Sequence, residues 1–444
     1  MIHDDRTAHP QKTVGRGHFG RRTFLTLAGG AALGIGDALI GLERSAAAPS
    51  SGVTISALID SQDEQWYKQR TPLFTQATGI NVDLQTVPED DYITKLQTNI
   101  AGDTATDVFV ASTAAGTYYV LANDGAALDL SPFIKKDNFD LHQFFSASVK
   151  NLSGPFGGKI YGLPYSGHPS GVLLVYNIDI LTADKIAQPT WQFTTSDLLA
   201  WAKSVTRGDV WGFYPPVHLW RDLVPMALTF GASLLSPDLT TAQLNTPEAM
   251  RFWSWLYDIF QVSKVSPRPK DLPTGGMRQL YVAQKLVSMS DSVGYRSIEP
   301  QVKFKWGVVP FPKGPTGVRA AHVQSNAIMI WAKTKHPDEA WQWAKWMVSK
   351  DSAVALGKLS AGPGERPDAW SDPAFAADPL QKVAGEMMSV GHSVMNPANF
   401  RTSEMQTLVI ASLNTVWNGD TKFEKAFFDS LNGKVQAILN KPKP

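Results

Sequence analysis

Residues Gly158–Leu181 read GKIYGLPYSGHPSGVLLVYNIDIL. An apolar run, Val172-Leu173-Leu174-Val175-Tyr176, follows ten residues rich in Gly, Pro and Ser, and Tyr161, Tyr165 and Tyr176 flank the break. Between Ile160 and Asn177 the only side chain able to carry a charge in the ordinary range is His168. The pattern is that of a strand that stops, crosses a gap of small residues and resumes as a more buried strand. Gly and Ser give such a crossing a permissive backbone, and Pro164 and Pro169 limit how far it bends. The segment Tyr165-Ser166-Gly167-His168 is therefore expected to leave one sheet and enter another. His322–Asn326 and Asp368–Ala377 are expected to cross in the same way. Three crossings between two α/β lobes make a hinge, and a cleft between the lobes can close on a ligand.

The flanking sequence supports two lobes. Upstream, VTISALI (53–59), INVDLQTV (80–87) and DVFVA (107–111) read as strands. They alternate with helical patterns at 66–77, 92–101 and from Thr117. The first of these helices is expected to bury Trp66, Leu73, Phe74 and Ala77. Such alternation argues for a layered domain with a largely parallel sheet, in which ligands sit beyond the carboxyl ends of strands. Downstream the chain is richer in helix. Thr246-Pro247 opens a helix whose buried face is Ala249, Phe252, Trp253, Leu256 and Phe260, and Thr195-Ser196-Asp197 cap LLAWAKSV. LVSMS (286–290), KWGVV (305–309) and VQSNAIMIW (323–331) are strands, and Ala340, Trp341, Ala344, Met347 and Val348 share one helix side. Residues 361–379 read as loop, and the last helices run from about 403 to 417 and 422 to 439. At 444 residues, two domains are the default expectation.

The first fifty residues read as export signal. Arg6, Lys12 and Arg16 precede GRRTFLTLAGGAALGIG, and the segment ends in small residues. Arg21-Arg22-Thr23-Phe24-Leu25 resembles the twin-arginine motif, with the general secretory route as the alternative, and cleavage is expected after Ala47. Without residues 1–47, which hold six basic and four acidic residues, 35 basic and 36 acidic residues remain. That balance offers no electrostatic footprint for nucleic acid. The chain has no Cys, which leaves no thiol nucleophile, no disulfide and no lipoprotein anchor. A soluble, periplasmic, monomeric protein is expected.

Catalytic motifs are missing. There is no G-x-S-x-G, no H-E-x-x-H and no phosphate loop, and GPFGGK (154–159) is too short to be one. The nine His are scattered without metal-ligand spacing. Neither a cofactor nor a metal is expected, and no catalytic residue is assigned.

Several strings resemble the extracellular solute-binding proteins, family 1, the capture subunits of ATP-driven (ABC) importers. Besides GKIYGLPYSGHPSGVLLVYNIDIL they are FTQATGINVDLQTVPEDDYITKLQTNIAGDTATDVF (74–109), ANDGAALDLSPFI (122–134), WGVVPFPKGPTG (306–317), DEAWQWAKWMVSKDSA (338–353) and WNGDTKFEKAFFDSLNGKVQAIL (417–439). Their order and spacing carry the likeness, from about residue 52 onward. The resemblance implies an α/β, two-lobed periplasmic binding protein type II fold with three hinge crossovers and a ligand cleft between the lobes. The first lobe would hold 52–166 and 326–370, the second 168–324 and 371–444. It implies capture of a small polar solute, a mono- or oligosaccharide or sugar derivative, for delivery to permease subunits. Polyamine, polyol phosphate and metal binding stay open within the same fold. An exported hydrolase is the alternative of another class, which would need two cleft carboxylates about 5–9 Å apart.

The ligand contacts the resemblance implies are Asp60, Gln62 and Ser112 from the first lobe. Tyr165, His168 and Ser170 come from the hinge, and Trp220, Arg221, Asp291 and Tyr295 from the second lobe. Arg366 and Phe400 complete the rim. Trp220, Tyr295 and Asp291 are foremost, since each follows the end of a strand or helix pattern. Aromatics cover the C–H faces of a sugar and polar groups satisfy its hydroxyls. The plain alternative for each is a surface or packing role.

Overall fold

The computed structural model describes residues 52–359, 362–392 and 396–444. The export signal expected over residues 1–47 lies outside them. Among the described residues, ten strands form two sheets. In the first sheet, β1 (Thr54–Asp60) pairs in parallel with β2 (Asn81–Val87) and β3 (Val108–Ser112). β4 (Gly162–Ser170) lies at its edge. The second sheet contains β5 (Leu173–Asn177), β6 (Trp211–Tyr214), β7 (Leu286–Asp291) and β8 (Trp306–Pro310), in the order β6-β7-β5-β8. β9 (Ala321–Ile330) returns the chain to the first sheet, where it pairs antiparallel with β3 and β4 and in parallel with the two-residue β10 (Gly391–His392).

The expected break in GLPYSGHPSG does not occur. β4 is one strand that pairs with β9 from Gly162 opposite Met329 to Ser170 opposite His322. The break falls at Gly171, where φ is 60°. The strand survives its prolines because it lies at an edge, where a missing N–H leaves no ladder bond unmade. It also survives because β9 supplies a partner throughout. Pairing shifts by one residue between Pro164 and Ser166, so Tyr165 is the extra residue of a bulge. Two of the expected crossings, Tyr165–His168 and His322–Asn326, are thus the two halves of one antiparallel ribbon. The third, Asp368–Ala377, is not plain loop: it includes most of Pro367–Trp370 and Pro373–Ala376, two single helical turns.

The ribbon joins two cores. Leu163 and Tyr165 of β4 and Ile328 and Ile330 of β9 pack in the first, with Trp66, Tyr67, Trp341 and Trp343. Val172–Tyr176, Ala321 and Val323 pack in the second, with Trp220, Trp253, Trp417 and Phe428. Tyr165 is fastened on the first side: its ring stacks on Trp66 at 5.3 Å, and its hydroxyl donates to Asp63 Oδ2 at 2.9 Å.

Helix patterning held where the apolar spacing was strict. Ala249, Phe252, Trp253, Leu256 and Phe260 are all buried, as are Ala340, Trp341, Ala344, Met347 and Val348. The cap on Thr195–Val205 is a full capping box between Thr194 and Asp197, one residue earlier than expected. The helix Glu64–Thr78 is rotated from expectation. Its buried side is Trp66, Tyr67, Thr71 and Phe74, and Leu73 is 46 % exposed. The stacking of Trp66 and Tyr67 on β4 and on Trp343 turns that face. No helix among the described residues is long and apolar enough to cross a membrane.

At the ribbon's centre Gly167 is opposite Ser325. A Cβ there would lie 1.9 Å from Glu365 Oε1 and 2.6 Å from the Gln324 carbonyl oxygen. Gly167→Ala should destabilise the protein by about 1–3 kcal/mol through overpacking. In combination with Glu365→Ala, which makes room, it should cost measurably less than the sum of the two single changes in urea unfolding. Strict additivity would show that Glu365 does not set the space at this crossing.

Candidate functional site

The clearest concave site is built where β4 ends. Gly171 turns the chain into β5, and the space a side chain would need there is filled by Asp222, whose Oδ1 would lie 2.8 Å from the Cβ. Asp222 is in the first turn of the helix Trp220–Thr229, beside Arg221. β7 ends in Asp291, and the helix Gly276–Val282 presents Arg278 to it. Arg278 Nε donates to Asp291 Oδ2 at 2.9 Å and Nη2 to Oδ1 at 2.7 Å. The Ser292 backbone N–H also donates to Oδ1, at 2.7 Å. Ser290 donates its hydroxyl proton to the Gly171 carbonyl, which ties β7 to the turn. Together these groups line a cavity of about 450 Å³, with Tyr214 and Met277 as its less polar walls.

Burial sets the charges. Asp222 is 5 % exposed, and desolvation pushes its carboxyl up to about 7. On the ribbon, the Gln324 amide donates to His168 Nε2 at 2.9 Å. Burial, with Arg221 nearby, holds His168 down to about 4 and His322 down to about 3, so both are neutral at ordinary pH. His322 is 1 % exposed and lies against the Arg221 backbone. A second buried carboxyl lies across the ribbon. Glu365 is fully buried, accepts from the Ser148 hydroxyl and is raised to about 7, mainly by burial.

Of the residues expected to touch a ligand, Arg221 and Asp291 line the cavity. His168 and Ser170 lie toward the Gly171 end of the ribbon, Ser170 opposite His322. Ser112 ends β3 opposite Asn326, which also faces Ser166, so it reaches the ribbon from the first sheet. Asp60 accepts from the Gln62 backbone N–H at 2.8 Å as a turn cap, and Gln62 is exposed.

Five residues are placed in packing positions, contrary to expectation. Trp220 is 1 % exposed, Tyr295 is fully buried against Tyr281 and Trp306, and Tyr165 belongs to the first core. Phe400 stacks on Tyr119 at 5.6 Å, and Arg366 closes on Asp368 through two hydrogen bonds of 2.9 and 2.7 Å. The end of a helical or strand pattern marks where a chain turns. It does not distinguish a ring facing the cleft from one facing the core. Sequence reading missed Asp222, Arg278, Ser290, His322 and Glu365. Asp222 adjoins Arg221 and was within reach, whereas Arg278 sits in GMRQL, which carries no motif. Among the described residues no three His, Asp or Glu side chains gather into a metal-binding set.

The family model for bacterial extracellular solute-binding proteins matches residues 50–354. The chain belongs to that family. The erythritol/L-threitol-binding protein of Mycolicibacterium smegmatis is 24% identical over 332 residues, 68% of each chain. Among solved structures, a substrate-binding protein of an ABC transporter from Listeria monocytogenes, in complex with cycloalternan, superposes with a TM-score of 0.73. It is 22% identical, and the match covers 87% of this chain and 99% of that one. The maltose-binding protein of the same organism, in complex with maltose, gives 0.74 at 15% identity, over 88% and 98%. These solved structures share the two-lobed fold, and the role this family member has is solute binding.

Glu365 provides a pH test of the ribbon. A carboxyl raised from its ordinary 4.5 to about 7 contributes stability that is present at low pH and lost as pH rises through about 7. Glu365→Gln removes that loss. The melting temperature of the variant relative to the parent should therefore climb between pH 5 and pH 8, because other titrating groups cancel in the difference. A difference that is flat or falls with pH would contradict a buried, protonated Glu365.

Proposed function

We propose that this protein captures a small polyhydroxylated solute, a sugar, polyol or derivative of one, for an ABC importer. It does so by closing two lobes about the β4–β9 ribbon. The observation that carries the reading is the cavity at the ribbon's end. There a carboxylate held by a two-pronged guanidinium, a second buried carboxyl and an aromatic wall converge. Vicinal hydroxyls match such paired acceptors and donors, and Tyr214 offers an apolar surface for C–H faces. The ligands named for the relatives, erythritol/L-threitol, maltose and cycloalternan, support the same chemistry.

The proposed lobes are 52–166 with 326–370, and 168–324 with 371–444. Asp60, Gln62 and Ser112, at the carboxyl ends of β1 and β3, are the first lobe's share of the site. Arg221, Asp222, Arg278 and Asp291 are the second lobe's. Export to the periplasm by the twin-arginine signal, and delivery to permease subunits, complete the proposal. The family's role as binding proteins favours reversible capture over turnover.

Thermal unfolding against a panel of sugars and polyols tests this. A solute at 100 times its dissociation constant should stabilise by about 2.7 kcal/mol and be recovered chemically unchanged. A shift from a polyamine or a metal salt alone would discard the carbohydrate class. Consumption of the solute would make the protein an enzyme. Asp291→Asn should weaken binding on the order of tenfold or more, since charged hydrogen bonds contribute about 1.5–3 kcal/mol.

A further inference from the structure

The cavity holds two guanidiniums and two carboxyls, but they do not form two pairs. Arg278 and Asp291 satisfy each other. Arg221 is left over. Among the described residues no carboxylate lies within ion-pair distance of it, and its Nε is shut off from solvent without a hydrogen-bond partner. Asp222, the next residue, packs instead against Gly171.

The remaining groups do not offset the charge. Asp222 stays largely protonated below neutral pH. His168 and His322 are neutral, and the Ser290 hydroxyl is committed to the Gly171 carbonyl. Arg221 also sits in the first turn of a ten-residue helix, where the backbone dipole adds positive potential. A solute that fills the cavity with hydroxyls alone would bury an unpaired guanidinium, which is costly. An oxyanion would meet the charge, and a planar guanidinium fits a carboxylate or phosphate through two parallel hydrogen bonds.

Resting on the reading of this cavity as the solute site, we propose that the captured solute is an acidic carbohydrate whose carboxylate or phosphate is held by Arg221, with its hydroxyls toward Asp291 and Asp222. Arg278 stays with Asp291 and positions it.

The test is isothermal titration of the purified protein with matched sets: glucose, glucuronate and glucose 6-phosphate; galactose and galacturonate; ribitol and ribonate. The acidic member of at least one set should bind on the order of 10- to 100-fold tighter than its neutral counterpart. The carboxylate and phosphate arms tell the two anions apart. Arg221→Gln should abolish that preference while the free protein melts within a few degrees of the parent. Arg221→Lys, which keeps the charge without the fork, should retain part of it. Raising the salt concentration should weaken the acid and leave the neutral sugar unaffected, a readout that needs no variant. If a neutral sugar binds as tightly as its acid, or if Arg221→Gln leaves the preference intact, the inference fails and solute capture stands. If no sugar of either kind binds, both readings fail.

Discussion

The antiparallel pairing of β4 with β9 is the constraint on which the rest of this structure depends. Both strands lie in the first sheet, and between them they reach both of the cores described above. These two strands contribute Leu163, Tyr165, Ile328 and Ile330 to one core and Ala321 and Val323 to the other, and β4 leads directly into Val172–Tyr176. A two-stranded ribbon is stiff along its length because its ladder hydrogen bonds are made between its own strands. It can still twist and bend, and a bulge at Tyr165 gives it a place to do so. Small side chains keep the ribbon thin enough for Glu365 and Asp222 to pack directly against Gly167 and Gly171. The polar groups that would sense a ligand are therefore in contact with the element that would move.

This arrangement also explains where charge is tolerated. Both buried carboxyls that burial pushes to about 7 abut the ribbon or its end, and so do the two neutral histidines. Elsewhere the ion pairs are mostly exposed and contribute little each. Buried groups of uncertain charge are expensive, and their concentration at one crossing is what a functional site looks like physically.

Much of the fold was legible in the sequence. Strict apolar spacing located the faces of Pro247–Tyr257 and Pro337–Met347, short apolar runs located β1 and β3, and alternation located β2. The stretch GLPYSGHPSG was read correctly as a crossing but wrongly as a break, because pairing with β9, more than 150 residues away, is invisible in local composition. Leu73 was misplaced for a similar reason: the face a helix buries is chosen by its partners, here Tyr165 and Trp343. The site was less legible. Asp291, read from the end of a strand pattern, lines the cavity, but Trp220 and Tyr295, read by the same rule, are buried in the core. Arg278 and Glu365 become visible only when the partner they meet in space is known.

The central claim is that the ribbon bends when a solute is bound. The chain has no Cys, so spin labels can be placed without background, for example at exposed Lys95 in the first lobe and Lys203 in the second. The measurement is the inter-label distance distribution of Lys95→Cys/Lys203→Cys, free and saturated with the solute that shifts melting most. The account predicts a shift to a shorter, narrower distribution on binding. A distribution that stays the same while calorimetry shows the solute bound would contradict closure about the β4–β9 ribbon.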